Sequence, residues 1–256
     1  MPSTGITTHF DIAFVSLYAF WIFFAGLVFY LHRESKREGY PLLTDRPDRI
    51  KVVGFPSMPS PKTFRTSDGH NITVPRVGEV EPPINGAVAS SKVFGSPLVP
   101  TGNPMVDAVG PASYVHRADV PDLTFDDGVP KIVPLRAAPG WSLADEDPNP
   151  VGMKVIGADG EVAGTCSDAW IDISEVVVRY LEVDTGQRRV LVPMTLVRIE
   201  GNRRLVKVVS VLARHFAEAP GLANSNQVTL REEDRICAYF ASGHMYATPQ
   251  RQEPLV

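Results

Sequence analysis

The most regular hydrophobic pattern in the chain is an unbroken apolar run at residues 12–31. The run reads IAFVSLYAFWIFFAGLVFYL and carries no formal charge. At ~1.5 Å rise per residue, a helix of this length is about 30 Å long, which matches the hydrocarbon core of a bilayer. Because backbone groups in hydrocarbon must be paired within their own segment, the run predicts a single transmembrane helix over residues 12–31.

Two alternatives for this run are a cleaved signal peptide and the core helix of a soluble protein. A signal peptide has a basic segment in front of its apolar core and a small-residue cleavage site behind it. Residues 1–11 contain no Lys or Arg, and the run ends in Phe29, Tyr30 and Leu31, followed by His32. A core helix is expected to be apolar on one face only. Both alternatives are therefore disfavoured.

The charges on either side of the run predict its orientation. Asp11 is the only formal charge before it, whereas Arg33, Lys36 and Arg37 follow it, interleaved with glutamates. The positive-inside rule then puts the N-terminus on the outer side of the membrane and everything after the helix in the cytoplasm.

The same basic residues define a candidate lipid contact. If the helix continues beyond Leu31, then Arg33, Lys36, Arg37 and Tyr40 lie at the height of the lipid headgroups. Basic side chains attract anionic phospholipid there, and tyrosine favours the interface. A plain stop-transfer flank is the other interpretation, and the two roles are compatible.

Residues 32–150 mix prolines with apolar residues. Eighteen of the 23 prolines fall between positions 41 and 150. Proline lacks a backbone donor and interrupts helices and central strands, yet the segment is too hydrophobic to be disordered. We expect an extended chain with short strands, including a hairpin of residues 62–64 and 71–74. Such a segment cannot easily pair its own backbone, so it is expected to lie against another protein.

Residues 151–256 switch to short strands separated by turn residues at 157–160, 184–186 and 201–202. Residues 161–163 and 170–173 are predicted as separate strands, the second alternating apolar and polar positions. Five or six such strands predict a small antiparallel barrel or sandwich.

A capping box predicts a last helix. Thr229 is followed by Glu232 three residues later, and acidic residues in the first turn favour the positive end of the helix dipole. Gly243 is expected to end this helix. Its apolar face is expected to consist of Ile236, Tyr239, Phe240 and Met245.

Composition and charge narrow the function classes. The formal net charge is -4, whereas a nucleic-acid partner usually requires a basic face, so no nucleic-acid partner is expected. No HExxH, GxSxG, Walker A or GxGxxG string occurs, and the six histidines are not at metal-ligand spacing. We therefore expect neither an enzyme nor a metal site. Cys166 and Cys237 are too few for a disulfide framework and are expected to be small buried hydrophobic residues.

Short strings in a fixed order along nearly the whole chain bear a family resemblance. They are Tyr18-Ala-Phe-Trp-Ile-Phe23, Arg37-Glu-Gly-Tyr-Pro-Leu42, Pro61-Lys-Thr-Phe64, Gly110-Pro-Ala-Ser-Tyr114, Ala169-Trp-Ile-Asp-Ile173, Arg179-Tyr-Leu-Glu-Val183 and Leu230-Arg-Glu-Glu-Asp-Arg-Ile-Cys237. In this order they resemble the H subunit of the photosynthetic reaction centre of purple bacteria. Residues 151–256 are similar to the PRC-barrel module of that subunit and of some ribosome-maturation proteins.

The resemblance implies a fold, partners and a location. The expected fold is a single transmembrane α-helix and a cytoplasmic α+β domain, with a mostly-β small antiparallel PRC-type barrel and a C-terminal helix. The chain is expected to bind no cofactor itself and to cap the L and M subunits, which hold bacteriochlorophyll, bacteriopheophytin, quinones and non-haem iron. Antenna helices and phospholipid are further expected partners, in the intracytoplasmic photosynthetic membrane, with residues 1–11 periplasmic.

The resemblance also implies a role in proton delivery to the secondary quinone. Proton transfer needs titratable groups and waters within hydrogen-bond reach of one another, and a carboxylate desolvated at an interface has a raised pKa. By resemblance, Asp172, Glu175 and Arg179 match the proton-entry region, with Arg179 offsetting repulsion between the two acids. Asp122 matches an acidic surface position. An ordinary solvated acid or ion pair is the alternative for each residue.

The loop after Leu123 departs from the family. Well-known relatives have a histidine pair there, which serves as a surface proton donor and metal site, but this loop reads Thr124-Phe-Asp-Asp-Gly-Val-Pro130. Asp126 and Asp127 are expected to collect protons instead. Because the ordinary side-chain pKa is about 3.9 for Asp and ~6.5 for His, we expect only weak inhibition by zinc or cadmium. Strong slowing of the second electron transfer by micromolar metal would contradict this.

Two other functions stay open on the sequence. One is a membrane-tethered PRC-barrel adaptor for a soluble or RNA-linked cytoplasmic partner, which would need neither an ordered proline-rich segment nor an aromatic anchor. The other is a bitopic enzyme with an unrecognised site. Co-purification with bacteriochlorophyll absorbance would favour the reaction-centre subunit, whereas a colourless protein would favour the adaptor.

Overall fold

The computed structural model describes residues 12–43, 51–67, 69–76, 85–93 and 96–252. The chain forms two units, Met1–Pro83 with Lys92–Ser96 and Ile84–Ser91 with Pro97–Val256. The first contains the N-terminal helix and two short ribbons, and the second contains the main sheet and the C-terminal helix. The periplasmic segment predicted for residues 1–11 lies outside the described residues.

Helix α1 covers Ile12–Glu34 and is followed by a 3-10 turn at Ser35–Arg37. No residue of α1 is buried in this chain. Among the described residues, this is the one helix long and apolar enough to cross a membrane. The helix extends past the predicted end of the apolar run, because charged residues such as Arg33 and Glu34 are themselves good helix formers.

Two antiparallel ribbons follow α1 in the same unit. Strand β1 at Leu42–Leu43 pairs with β2 at Lys51–Val52, and β3 at Lys62–Arg65 pairs with β4 at Asn71–Val74. The second ribbon confirms the predicted hairpin. Its turn uses Gly69 at φ +86°, a conformation that other residues rarely adopt.

The second unit is built on a seven-stranded sheet. Before it, β5 at Ala87–Ala89 pairs with β6 at Leu98–Pro100. The strands of the sheet are β7 Ile132–Pro134, β8 Lys154–Ile156, β9 Val162–Asp172, β10 Val177–Asp184, β11 Arg189–Pro193, β12 Val197–Glu200 and β13 Leu205–Val208. Their order is β11-β10-β9-β8-β13-β12, with β7 paired to β9. Neighbours are antiparallel except β8 and β13, which run parallel.

Strand β9 differs from the prediction. Residues 161–163 and 170–173 are predicted as separate strands, but β9 is one strand of eleven residues. It stays continuous because its central residues are paired on both sides. Thr165, for example, lies opposite Lys154 of β8 and Asp184 of β10.

The core lies within the sheet and beneath the C-terminal helix. Cys166 is buried as predicted, but the prediction is wrong for Cys237, which is exposed. The reason is that Cys237 follows Ile236 on the helix and so falls outside the buried stripe. The largest fully buried side chains are Trp170, Phe216, Phe240, Leu181, Leu191 and Ile236.

Helix α2, Leu230–Tyr246, begins at the predicted capping box. The Thr229 hydroxyl accepts from the N–H of Glu232 at 3.2 Å, and the Glu232 carboxylate accepts from the N–H of Thr229 at 2.9 Å. The predicted end at Gly243 is wrong, because the helix continues to Tyr246. Gly243 instead allows close packing, since a Cβ there would lie 2.5 Å from Cγ1 of Val211.

A buried group of charges ties the segment before the barrel to the barrel core. Glu182 is 3% exposed. Its carboxylate accepts from Nη1 of Arg136 at 2.9 Å, Nε1 of Trp170 at 3.1 Å and Oγ of Ser167 at 2.8 Å. Arg136 also donates to Asp168 at 2.9 Å. Buried carboxylates need such partners, because an unpaired buried charge is strongly destabilising.

Candidate functional site

Four of the six predicted proton-transfer residues, Asp122, Asp172, Glu175 and Arg179, meet where the loop before β7 lies beside the turn between β9 and β10. The N–H of Lys131 donates to the carbonyl of Asp122 at 2.8 Å, and the N–H of Ile173 donates to the carbonyl of Lys131 at 2.9 Å. Ile132 then lies opposite Asp172 in the sheet. We call this surface the Asp172 cluster; its members are Asp122, Lys131, Asp172, Glu175 and Arg179.

Asp172 is the buried anchor of the cluster. It is the last residue of β9, and its side chain is 6% exposed. Its Oδ1 accepts from the N–H groups of Ser174 and Glu175, both at 3.0 Å. Its Oδ2 accepts from Nε and Nη2 of Arg179, both at 3.3 Å. These four bonds fix the turn that carries Glu175.

Glu175 is the exposed member of the cluster. Its side chain is 63% exposed, and Nη2 of Arg179 contacts its carboxylate at 2.5 Å. Arg179 thus bridges two carboxylates, and the structure brings Asp172, Glu175 and Arg179 together. Val176 follows at φ +56°, an unusual conformation for a β-branched residue. This bend keeps Glu175 at the tip of the turn.

Asp122 and Lys131 form the second ion pair of the cluster, with 2.8 Å between Oδ2 and Nζ. The hydrogen bond to Asp122 raises the pKa of Lys131 against the opposing effect of burial, and the charges of Asp172 and Glu175 raise it further. Lys131 is not among the residues that the sequence predicts for this site. Its place depends on strand β7, which a proline-rich segment does not reveal.

Asp126 and Asp127 lie apart from these ion pairs. Both are exposed on the loop that is closed by a β-bridge between Leu123 and Pro130, with Asp122 just before its base. In the part of the chain that the structure describes, no group of three or more His, Cys, Asp and Glu side chains could hold a metal ion.

A further carboxylate, Glu233 on α2, lies near the cluster. Its Oε2 accepts from the Tyr180 hydroxyl at 2.9 Å, and Sγ of Cys237 lies 3.6 Å from the same hydroxyl. Burial raises the pKa of Glu233, the Tyr180 hydrogen bond opposes this, and the charges of Asp122 and Arg179 also act on it. From the sequence, Glu233 is predicted only as an acid that favours the helix dipole.

Two of the residues predicted to meet lipid headgroups have partners within the first unit. Lys36 is 2% exposed, and its Nζ donates to the carbonyls of Val53 and Pro56, both at 2.6 Å. Arg37 forms an ion pair with Glu34 at 2.7 Å. Lys36 therefore holds the loop of residues 53–56, and Arg37 also donates from Nη1 to the carbonyls of Ser60 at 2.7 Å and Val74 at 3.2 Å.

Arg33 and Tyr40 complete the predicted lipid set. Nε of Arg33 is buried and makes no hydrogen bond within the described residues. The ammonium of Lys36 lies 5.3 Å from the centroid of the Tyr40 ring. Of the four residues, Arg33 thus keeps an unpaired donor next to the helix end.

The fold and its residues define a class, a PRC-barrel protein with an apolar N-terminal helix. Residues 144–212 match the PRC-barrel domain. Residues 4–137, which are more than half of the chain, match the family described as the photosynthetic reaction centre, H-chain N-terminal region. The chain therefore belongs to the family of photosynthetic reaction centre H subunits. This confirms the predicted family and fold class.

Membership of the family carries several coarse properties. H subunits are membrane-associated structural subunits that associate with the L and M subunits and do not generally bind pigment. The match over residues 4–137 covers the apolar helix and most of the proline-rich segment. A PRC-barrel adaptor would need neither, so the match disfavours that alternative.

Proposed function

We propose that this chain stabilises the L/M core of a purple-bacterial reaction centre on its cytoplasmic side and assists proton delivery to the secondary quinone. The observation that carries the proposal is the pairing of a buried and an exposed carboxylate on one guanidinium. Asp172 is held by two backbone donors and by Arg179, while Glu175 stands 63% exposed on the same Arg179.

Each residue of the cluster has a distinct task in this proposal. Glu175 exchanges protons with the partner surface, because it is the exposed carboxylate of the turn. Asp172 and Arg179 position Glu175 and balance its charge. A relay of this kind needs titratable groups within hydrogen-bond reach, directly or through water. The quinone held by L and M supplies the electron-accepting chemistry and takes up two protons.

The outer part of the route runs along the loop before β7. Asp126 and Asp127 collect protons at its exposed tip, and Asp122 receives them at its base. Lys131 is not a carrier: its pKa is raised, so it stays charged and holds the Asp122 carboxylate in place. Glu233 is an additional candidate, since it is hydrogen-bonded to Tyr180 near the cluster and burial raises its pKa.

The proposed location follows from α1 and its flanks. Residues 12–31 span the photosynthetic membrane, the N-terminus is periplasmic and the barrel is cytoplasmic. Antenna helices surround α1, and the proline-rich segment lies on L and M. Arg33, Lys36, Arg37 and Tyr40 mark the headgroup level.

Replacing Glu175 by Gln in the intact reaction centre tests the proton role. The change keeps the size of the side chain but removes its titration, so proton uptake after the second of two flashes should slow by on the order of tenfold. The matched control is Glu161→Gln, which alters an exposed acid in the turn between β8 and β9. Equal rates in wild type and Glu175→Gln would remove Glu175 from the route.

Purification in mild detergent tests the association separately. We expect the chain to carry bacteriochlorophyll absorbance through its subunit partners. A colourless, monodisperse chain would contradict the proposed association with L and M, even if Glu175→Gln slowed proton uptake as expected.

A further inference from the structure

An exposed aromatic side chain lies beside the C-terminal end of α1. Phe55 is 84% exposed, and its ring centroid is 5.8 Å from that of Phe29. Phe29 belongs to the apolar run, whereas Phe55 belongs to the segment after β2, more than twenty residues later. The chain thus returns from beyond the helix to place a second ring against the apolar run.

The position of Phe29 sets the depth of Phe55. Phe29 lies five residues before the helix end at Glu34, which is about 7.5 Å along the axis at ~1.5 Å per residue. If residues 12–31 span the bilayer, Phe29 lies at the edge of the hydrocarbon layer. A ring less than 6 Å from it has the same depth to within about one side chain.

Lys36 holds the Phe55 loop at this level. Its ammonium donates to the carbonyls of Val53 and Pro56, which flank Phe55, both at 2.6 Å. The stem of Lys36 is buried with it. Two charge-assisted hydrogen bonds on either side of one residue fix the direction in which its ring projects.

The ribbon next to this loop is apolar as well. Leu42 of β1 and Val52 of β2 lie directly opposite each other, so their side chains share one face of the ribbon. Both are exposed. Three exposed apolar side chains are far fewer than the roughly 20–30 residues that each partner contributes to a stable protein interface. Apolar side chains at the membrane surface are suited to burial at the boundary between headgroups and acyl chains.

We infer that the Phe55 loop is a second membrane contact of this chain, which inserts its ring among the lipid acyl chains next to α1. Lys36 is the positioning residue for this contact. The inference rests on the proposed membrane span of α1. A second contact beside Phe29 would also fix the rotation of α1 about its own axis. Phospholipid acyl chains are the occupant of this loop, whereas the rest of the proline-rich segment is proposed to lie on L and M; a partner protein covering Phe55 is the competing outcome.

Nitroxide depth measurements test the inference in intact reaction centres in phosphatidylcholine nanodiscs. Single labels are placed by Phe55→Cys, Phe29→Cys and Thr63→Cys on a Cys237→Ser background, because Cys237 is exposed and Cys166 is buried. Molecular oxygen reports lipid and a nickel chelate reports water. The label at position 55 should resemble that at 29, with high oxygen and low nickel accessibility, and differ from that at 63 in the exposed β3.

Each other outcome overturns a defined statement. High nickel accessibility at position 55 together with a lipid signal at 29 would overturn the second contact but leave the span intact. Low accessibility to both reagents at 55 would show that protein covers it. High nickel accessibility at position 29 would overturn the membrane span of α1, and the inference with it.

Lys36→Met tests the positioning role. Without the two carbonyl contacts, the label at position 55 should become more mobile and gain nickel accessibility. The matched control is Lys62→Met, since Lys62 is an exposed lysine whose ammonium lies 5.0 Å from the Phe64 ring. An unchanged spectrum in Lys36→Met would show that Lys36 does not position Phe55.

Discussion

Arg179 donates from both Nε and Nη2 to the same oxygen of Asp172, at 3.3 Å each. The same Nη2 also contacts Glu175, so one guanidinium serves a buried and an exposed acid. The two acids therefore differ in what they do for the fold. Asp172 holds the turn together, whereas Glu175 depends on it.

Asp172→Asn should lower the free energy of unfolding by about 1–3 kcal/mol. The reason is that a buried acceptor of two backbone N–H groups loses its charge and its match to Arg179. Glu175→Gln should change it by less than about 1 kcal/mol, because that pair is exposed. Thermal unfolding of the full chain in detergent, followed by circular dichroism, measures both. Equal losses would contradict the assigned division of roles.

Glu182→Gln should destabilise the barrel by on the order of 3 kcal/mol. Glu182 is the shared acceptor of Arg136, Trp170 and Ser167, and removing one member of a buried charge group leaves the others uncompensated.

Glu200→Gln is the matched control for this change. Glu200 forms an ion pair with Arg203 that is largely exposed, and such pairs contribute about 0–1 kcal/mol. Denaturant midpoints of the two variants should therefore differ clearly. A Glu182→Gln midpoint equal to that of Glu200→Gln would mean that the core does not depend on this charge group.

His215 should make the fold sensitive to mild acid. Burial lowers its pKa below the ordinary 6.5, with the charge of Arg214 acting in the same direction. The folded state therefore favours the neutral ring, whose Nδ1 accepts from the N–H of Leu212 at 3.2 Å. The stability that the neutral ring contributes is fully present when the pH is above 6.5, the ordinary histidine pKa, and it is lost as the pH falls from there through the lowered pKa of the folded state.

The measurement is the fall in unfolding free energy between pH 7.5 and pH 5. We expect a smaller fall in His215→Gln than in the wild type, and a fall of wild-type size in His244→Gln, since His244 is exposed on α2. An equal fall in unfolding free energy between pH 7.5 and pH 5 in wild type and His215→Gln would show that protonation of His215 does not affect stability.

Gly243→Ala should destabilise the protein although alanine is the better helix former. Helix propensity alone favours alanine by about 1 kcal/mol. The new Cβ, however, would lie 2.6 Å from the carbonyl oxygen of Ser210 and 2.5 Å from Val211, and overpacking costs about 1–3 kcal/mol. Ala241→Gly, at an exposed position of the same helix, calibrates the propensity effect. A stabilised Gly243→Ala would show that the contact relaxes freely.

Local signals in the sequence predict much of this fold. The apolar run predicts α1, the turn around Gly69 predicts one hairpin, and the box of Thr229 and Glu232 predicts the start of α2. Each of these depends on residues a few positions apart. The prediction that Gly243 ends the helix is wrong because glycine is needed there for close packing against residues 210 and 211, which are distant in sequence.

The candidate site divides in the same way. Asp172, Glu175 and Arg179 lie within eight residues, so a turn brings them together and the sequence predicts their grouping. Lys131 and Glu233 arrive from elsewhere, through β7 and α2. Strand β7 is three residues long with proline at its end, and such a strand forms only because β9 offers it a partner.

Arg136 has a bearing on how this subunit is put together. It falls within the stretch that matches the H-chain region, yet its guanidinium reaches Asp168 and Glu182 inside the stretch that matches the PRC barrel. A barrel excised at residue 144 would keep both interior acids and lose their nearest cation. The two regions are therefore not structurally independent. A graft of the barrel onto another scaffold must include Arg136 together with Asp168 and Glu182.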